Sequence, residues 1–175
     1  MKRLVMEKNF MLVGIISDTH DCLPMIEKAI DKLNNSKVRL VLHAGDYCAP
    51  FTATRFKRLN SRFIGVLGNC DGERDLLKKR YSEFHKEIRG RFAEVAVGKL
   101  KIALLHGEDE ELLKSLIRSR AYQAVVHGHT HKSRIHWKDE TVVINPGEVC
   151  GYLSGRATIA VLDTSSGKAR IIDLK

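Results

Sequence analysis

The feature that most constrains the fold of this chain is a repeated pattern, in which a short apolar run is followed directly by glycine and polar residues. The apolar runs, which are rich in Val, Ile and Leu, occupy residues 10–16, 38–42, 63–67, 100–105 and 122–126. Buried strands of a sheet carry such uninterrupted apolar runs. Amphipathic stretches that predict helices lie at 23–33, 50–59, 74–80 and 108–119. The first half of the chain therefore predicts β-α-β units.

The C-terminal part of the chain has a different pattern, in which short apolar strands are separated by turns. Predicted strands lie at 134–137, 141–144, 158–163 and 170–174, and a hairpin around Gly98 and Lys99 joins 92–97 to 100–105. One small parallel sheet does not need this many strands, whereas two facing sheets covered by helices pack them all. We therefore predict an α/β (α+β) fold, a two-sheet β-sandwich flanked by helices, as a single domain over residues 1–175.

Composition excludes several classes of protein. The chain has 175 residues, 43% of them hydrophobic, which is typical of a globular domain with a core. No apolar run approaches the roughly 20 residues of a membrane helix, and the four cysteines form no close pairs. We therefore expect a cytoplasmic protein without a membrane partner. The net charge of +9 leaves a nucleic-acid partner open, although aromatic residues make up only 6% and no stacking motif is present.

Side chains that bind metals follow the predicted strands with unusual regularity. In chain order they are Asp18, His20, Asp46, Asn69, His106, His129 and His131. Functional groups of α/β proteins gather at the carboxyl ends of strands, and residues two apart in extended chain point the same way. Each histidine alone is explained equally well by a hydrogen-bonded place in the core. The whole set in order indicates a metal centre.

The seven candidate ligands are more than one tetrahedral metal site can use. Three oxygen donors and four imidazoles suit two divalent ions of borderline character, held close together by a shared carboxylate. Manganese is the ion we expect, and nickel, iron, cobalt and zinc remain open because all accept these ligands.

At these residues the sequence resembles the calcineurin-like metallophosphoesterases, and within them the small single-domain phosphodiesterases of bacteria and archaea. The resemblance covers nearly the whole chain from Met11. Its blocks are Ile15-Ile16-Ser17-Asp18-Thr19-His20, His43-Ala44-Gly45-Asp46, Gly68-Asn69-Cys70-Asp71, Leu105-His106-Gly107, Gly128-His129-Thr130-His131 and the loop Asn145-Pro146-Gly147. Because the first block reads like a family N-terminus, we expect Met11 to be the true start, and residues 1–10 to be either an extension or the result of a wrongly assigned start.

The resemblance implies roles for the candidate ligands. Asp18, His20 and His131 would hold one metal ion, whereas Asn69, His106 and His129 would hold the other and Asp46 would bridge them. The implied activity is hydrolysis of a phosphoester, most simply a small phosphodiester, by attack of a hydroxide held between the metal ions. Artificial aryl diesters are the implied substrates.

The chain departs from many relatives in having Cys70 where they have a histidine that protonates the leaving group. We therefore predict that water, His43 or His127 acts as the acid, or that none is needed, and buried structural roles for both histidines remain equally open. Asp71 would orient a ligand histidine or cap the following helix. Lys132, Arg134 and Arg156 would hold a substrate phosphate or lie on the surface.

Two rival functions remain open at this stage. One is a nuclease acting on DNA or RNA, which the basic charge favours. The other is a metal-supported scaffold without activity, like the retromer subunit that the resemblance includes. The intact set of seven ligand positions favours an enzyme, whereas the sequence does not determine the oligomeric state.

Overall fold

The computed structural model describes residues 11–175, in which eleven strands form two sheets. The first sheet has the strand order β11-β10-β1-β2-β3-β4. Its strands are β1 (Leu12–Ile16), β2 (Leu40–His43), β3 (Arg62–Gly65), β4 (Glu87–Ile88), β10 (Thr158–Asp163) and β11 (Ala169–Asp173). Strands β1 to β4 run parallel, and β10 and β11 are added as an antiparallel pair beside β1.

The second sheet has the order β5-β6-β7-β9-β8. Its strands are β5 (Phe92–Val97), β6 (Leu100–Leu105), β7 (Ala124–Val126), β8 (Arg134–Lys138) and β9 (Thr141–Asn145). β5 and β6 form the predicted hairpin, and β6, β7 and β9 run parallel. In β5 the exposed and buried residues alternate, as in a strand with one face in the core.

The core lies in three layers. Apolar side chains of β1, β2 and β3 meet those of β6, β7 and β9 between the two sheets. Helices α1 (Leu23–Asn35), α2 (Ala53–Phe56) and α3 (Arg74–Ser82) cover the outer face of the first sheet, and α4 (Glu110–Arg118) covers the second. The predicted fold class, a two-sheet sandwich flanked by helices, is confirmed.

The helix predicted over 50–59 is the largest local difference. The chain forms a 3₁₀ turn at Pro50–Thr52 and only one helical turn in α2. The hydroxyls of Thr52 and Thr54 donate to the carbonyls of Ala49 and Phe51, and such bonds compete with the helical pattern. Thr52 and Thr54 are also β-branched, which lowers their helix propensity.

Residues 1–10 lie outside the described part of the chain, and so does the start of the first predicted strand at Phe10. The proposed extension therefore stays a prediction. Among residues 11–175, no helix combines the length and apolar character needed to cross a membrane.

Candidate metal centre

The topology brings the candidate ligands to one end of both sheets. Parallel strands β1, β2 and β3 end at the same edge of the first sheet, and the loops after them carry Asp18, Asp46 and Asn69. In the second sheet, His106 follows β6 and His129 follows parallel β7. A cavity of about 390 Å³ at this end is lined by His20, Asp46, Asn69, Cys70, His129, His131, Tyr152 and Leu153.

One group of ligands forms around the buried carboxylate of Asp18. Its Oδ1 lies 3.7 Å from His20 Nε2 and 3.5 Å from His131 Nε2. The two imidazole rings are stacked with their centroids 5.2 Å apart. Two atoms that are each about 2.1 Å from one tetrahedral ion lie roughly 3.4 Å apart, so these separations suit a shared cation.

A second group forms around Asp46. Its Oδ2 lies 3.2 Å from His106 Nε2 and 3.6 Å from His20 Nε2. The amide oxygen of Asn69 lies 3.0 Å from His129 Nδ1, and the rings of His106 and His129 are 5.1 Å apart. Asp46 therefore lies between the two groups of ligands, where the predicted bridging residue belongs.

Three of these ligand atoms are buried without a hydrogen-bond partner in the described part of the chain: Asp18 Oδ1, His20 Nε2 and His106 Nε2. An unpaired buried polar atom costs about 1–3 kcal/mol, and most such atoms in proteins are paired. Each of the three atoms lies 3.2–3.7 Å from an atom of another candidate ligand, a separation that suits a shared cation. The donor set therefore fits the divalent metal ions that the sequence predicted.

The backbone at the ligands is held in an unusual conformation. Five of the seven have positive φ angles, namely Asp18 (53°), His20 (38°), Asp46 (61°), His129 (67°) and His131 (59°). A non-glycine residue in this region costs roughly 1–3 kcal/mol, which the surrounding structure must offset. These backbone conformations direct the five ligand side chains differently from an ordinary extended chain.

Two glycines allow the loops to approach the ligands closely. A Cβ at Gly68 would lie 2.1 Å from Asp46 Oδ1, and one at Gly128 would lie 1.9 Å from Ser17 Oγ. Any other residue at either position would displace a ligand loop.

The titration of Asp46 and His106 is linked. Burial alone would lower the pKa of His106, but the Asp46 carboxylate, whose Oδ2 lies 3.2 Å from His106 Nε2, raises the pKa to about 9. Burial alone would raise the pKa of Asp46, but His106 and the Cys70 N–H hold it well below its usual range. In the metal-free protein at neutral pH the pair therefore holds a proton on His106, which a metal ion must displace.

Asp71 supports the backbone of the Asp46 loop. Its buried carboxylate accepts hydrogen bonds from the backbone N–H groups of Asp46, Tyr47, Cys48 and Gly68 at 2.7–3.1 Å. In the described part of the chain this carboxylate accepts no hydrogen bond from a ligand histidine or from the backbone at the start of α3, which lacks a side-chain cap; only the Asp71 carbonyl meets that helix, where it accepts from Arg74 Nε. The contacts thus differ from both predicted roles, because the amides of two loops converge on this one carboxylate.

Glu148 is the residue near the centre that the sequence analysis did not identify. It is fully buried, and its Oε2 lies 2.7 Å from His131 Nδ1. It also accepts hydrogen bonds from Cys150 Sγ, Leu153 N, Ser154 N and Ser154 Oγ. Burial would raise the pKa of Glu148, but the bonds from Ser154 and His131 lower it to about 2. The available signal was a lone acidic residue directly after Asn145-Pro146-Gly147, before the apolar Val149.

The two histidines predicted as acids do not line the metal cavity. His43 is fully buried, its Nδ1 accepts from Gly45 N at 3.1 Å, and its ring stacks on Tyr47. Burial lowers its pKa well below the usual range. His127 lines a different cavity, and burial lowers its pKa to about 4. Cys70 does line the metal cavity, and burial raises the pKa of its thiol to about 11.

The three predicted phosphate-binding cations lie elsewhere. Lys132 and Arg134 line a cavity of about 430 Å³ together with His127 and His136. Arg156 forms an exposed ion pair with Asp173 of β11. None of the three lines the metal cavity. For Lys132 and Arg134, the chain turns at His131, where φ is 59°, before β8 begins at Arg134, and sequence spacing does not reveal this turn.

Comparisons with known proteins agree with this geometry. Residues 11–167 match the calcineurin-like phosphoesterase superfamily domain. A phosphodiesterase from Methanocaldococcus jannaschii is 42% identical over 166 residues, which are 94% of this chain and 100% of that protein.

Solved structures give the same result. A structure described as that of a novel archaeal phosphodiesterase has 41% identity and a TM-score of 0.89, over 93% of this chain and 99% of the other. A Vps29 structure from Entamoeba histolytica has a TM-score of 0.68 at 23% identity, over 93% of this chain and 99% of the other, which shows a shared fold alone.

Proposed function

Because the chain belongs to the calcineurin-like phosphoesterase superfamily and is a metal-dependent phosphoesterase, we propose that it is a phosphodiesterase with a two-metal centre. One observation carries the proposal. Asp18 Oδ1, His20 Nε2 and His106 Nε2 are buried and unpaired, and the Asp46 carboxylate lies between the two groups of ligands to which they belong.

The proposed ligand assignment follows the two groups. Asp18, His20 and His131 would hold one ion, Asn69, His106 and His129 the other, and Asp46 both. Manganese is the proposed ion, with nickel, iron, cobalt and zinc as the alternatives to test. When bound, such ions supply a nucleophile by lowering the pKa of a bound water to about 7, and they neutralise charge on the phosphate.

The residues of this chain prepare the centre for those ions. The Asp46 carboxylate holds a proton on His106 in the metal-free protein, and His106 would have to release this proton to act as a ligand. Glu148 accepts a hydrogen bond from His131 Nδ1 and thereby presents Nε2 as the ligand atom. Asn69 offers an oxygen without a negative charge, so the centre keeps more attraction for an anionic ester.

The substrates proposed are diesters with good leaving groups. Neither His43 nor His127 lines the cavity, and the Cys70 thiol, with its pKa near 11, is a weak proton donor at neutral pH. A leaving group such as nitrophenolate departs without protonation, whereas an alkoxide does not.

The first prediction tests this function through Asp46→Ala. Removing the shared carboxylate should abolish metal binding and lower hydrolysis of bis(p-nitrophenyl) phosphate on the order of 10³-fold or more. Metal content by mass spectrometry and turnover with added manganese or nickel measure the two effects. The exposed Asp31, which pairs with Arg58, provides the control Asp31→Ala, which should match the unaltered protein. Full activity in Asp46→Ala would refute the proposal.

A nuclease is the second candidate function. The net charge of +9 and the cavity lined by Lys132 and Arg134 favour an oligonucleotide substrate. Cleavage of oligonucleotides that weakens steeply with salt would support a nuclease over an enzyme that acts on small diesters.

A protein that binds metal ions but turns over no ester would support the scaffold hypothesis. The cytoplasmic location remains a prediction.

A further inference from the structure

The rim of the metal cavity carries two exposed apolar side chains. Tyr152 is 64% exposed and Leu153 is 76% exposed, and they are the most exposed large hydrophobic residues in the described part of the chain. Both line the cavity that contains His20, Asn69 and His129. Apolar groups next to a reaction centre and open to water indicate a contact surface for a ligand. We call Tyr152 and Leu153 the 152–153 rim.

The backbone of this rim is fixed by hydrogen bonds. Leu153 N donates to Glu148 Oε1 at 3.0 Å, and Ser154 donates to the same oxygen through both its N–H and its hydroxyl. Glu148 is fully buried and also contacts the ligand His131. One buried carboxylate thus sets the position of a metal ligand and of the rim together, so the exposed side chains stand at a defined place beside the centre.

The charges around the cavity show what the rim does not bind. Among residues 11–175, the cavity lining contains five of the seven candidate ligands, Cys70 and the rim, but no lysine or arginine. Lys132 and Arg134 line another cavity, and Arg156 is paired with Asp173. A second phosphate or a carboxylate on the substrate would therefore meet no side-chain cation here. The part of the substrate beyond the reacting phosphate must be held by other contacts.

We propose that the 152–153 rim is a binding subsite for an aromatic ester group of the substrate, so that Tyr152 and Leu153 select diesters that carry a planar ring. This inference rests on the proposed phosphodiesterase function. Tyrosine stacks on planar rings in offset geometry, and leucine adds apolar contact on one side. A second copy of this chain is a poor occupant, because two side chains provide far less than the roughly 800 Å² per partner of a stable interface.

The test measures binding, which does not depend on turnover. Calorimetric titration of the metal-loaded protein compares diphenyl phosphate with dimethyl phosphate, which share the phosphate and differ in the ester groups. We expect the protein to bind diphenyl phosphate about tenfold or more tightly, as for one stacked ring. The double variant Tyr152→Ala/Leu153→Ala should lose this preference while its affinity for dimethyl phosphate stays unchanged.

Two further variants make the test specific. Phe51→Ala removes a 53% exposed aromatic residue that lines a separate cavity, and it should keep the full preference. Tyr152→Leu keeps an apolar side chain but loses the ring, so it should lose part of the preference even if the double variant does not fold. Metal content and the thermal midpoint are measured for every variant.

The outcomes distinguish this inference from the proposed function. Equal affinity of the unaltered protein for both diesters, or an unchanged preference in both rim variants, overturns the role of the rim. Failure to hydrolyse bis(p-nitrophenyl) phosphate, together with a preference that Tyr152→Leu reduces, overturns the proposed function and leaves the subsite supported.

A dinucleoside phosphate is the third ligand in the titrations. If the protein binds the dinucleoside phosphate more tightly than diphenyl phosphate, the aromatic group is a nucleobase. If it binds the dinucleoside phosphate more weakly, the aromatic group is a simple aryl group.

Discussion

Two buried carboxylates support the metal centre from different sides, and they do so by different means. Asp71 accepts hydrogen bonds from four backbone N–H groups in the loops that carry Asp46 and Asn69. Glu148 instead contacts the ring of the ligand His131 and then fixes the loop that carries the rim. One carboxylate organises backbone, whereas the other organises a ligand side chain and the substrate side of the cavity.

The difference appears in the pKa values of the two groups. Burial raises the pKa of Asp71, and the negative charge of Asp46 acts in the same direction against the amide donors. The pKa of Glu148 is lowered to about 2, because the bonds from Ser154 and His131 outweigh its burial. Asp71 is held by backbone donors of two loops, whereas Glu148 contacts a metal ligand. Asp71 should therefore matter for folding, and Glu148 for metal affinity.

Asp71→Ala should produce the largest loss of stability. It leaves four N–H groups without their acceptor, and unpaired buried donors cost about 1–3 kcal/mol each, so we expect at least about 3 kcal/mol of destabilisation. Urea unfolding of the metal-free protein measures it. Asp75→Ala, in the exposed first turn of α3, is the control and should change the unfolding free energy by less than about 1 kcal/mol. Equal stability of the two variants would show that water replaces Asp71 without cost.

Glu148→Gln should produce a smaller loss of stability and a clear loss of metal affinity. Glutamine keeps an acceptor for the 153–154 backbone but lacks the charge that holds the His131 Nδ1–H. Outer partners of ligand histidines are worth about 10–100-fold in metal affinity. Competition with a chelator measures this effect, with the exposed Glu110→Gln as control. If the affinity is unchanged, Glu148 serves the rim alone and the comparison with Asp71 must be revised.

The smallest effect should be the change with pH in the free energy of unfolding that Glu148 contributes. The pKa of its carboxyl is about 2 in the folded protein and near 4.5 otherwise, so the ionised form stabilises the fold above pH 4.5. This contribution is lost as the pH falls from 4.5 toward 2. The difference in unfolding free energy between the metal-free protein and Glu148→Gln should therefore shrink over that window. A difference that is constant from pH 6 to pH 3 would contradict the lowered pKa.

The sequence predicted those parts of the molecule that depend on local pattern. The strands that precede ligands, the hairpin around Gly98 and the two-sheet class followed from apolar runs and turn residues. The candidate ligands came together because parallel strands end at one edge. These features depend on periodicity and topology, which the order of residues carries directly.

The sequence did not predict the supports around the ligands. Asp71 was predicted to orient a ligand histidine or to cap a helix, yet its carboxylate accepts hydrogen bonds from the amides of two separate loops. Glu148 was missed because its partner His131 is 17 residues away in sequence and follows a turn with positive φ, and because the contact with Ser154 depends on the fold of the loop between them. Lys132 and Arg134 followed a ligand closely but line another cavity. Side-chain direction after a turn with positive φ depends on tertiary packing, which spacing does not encode.

The place of β1 between β2 and β10 has a consequence for the order in which the molecule is made. A growing chain exposes β1 early, but its antiparallel partner β10 is translated only at residues 158–163. His131 and Glu148 are also translated long after Asp18, which pairs with His131. Non-local pairing of this kind forms slowly, since long loops must be ordered first. The group of ligands around Asp18 is therefore complete only after His131 has been translated.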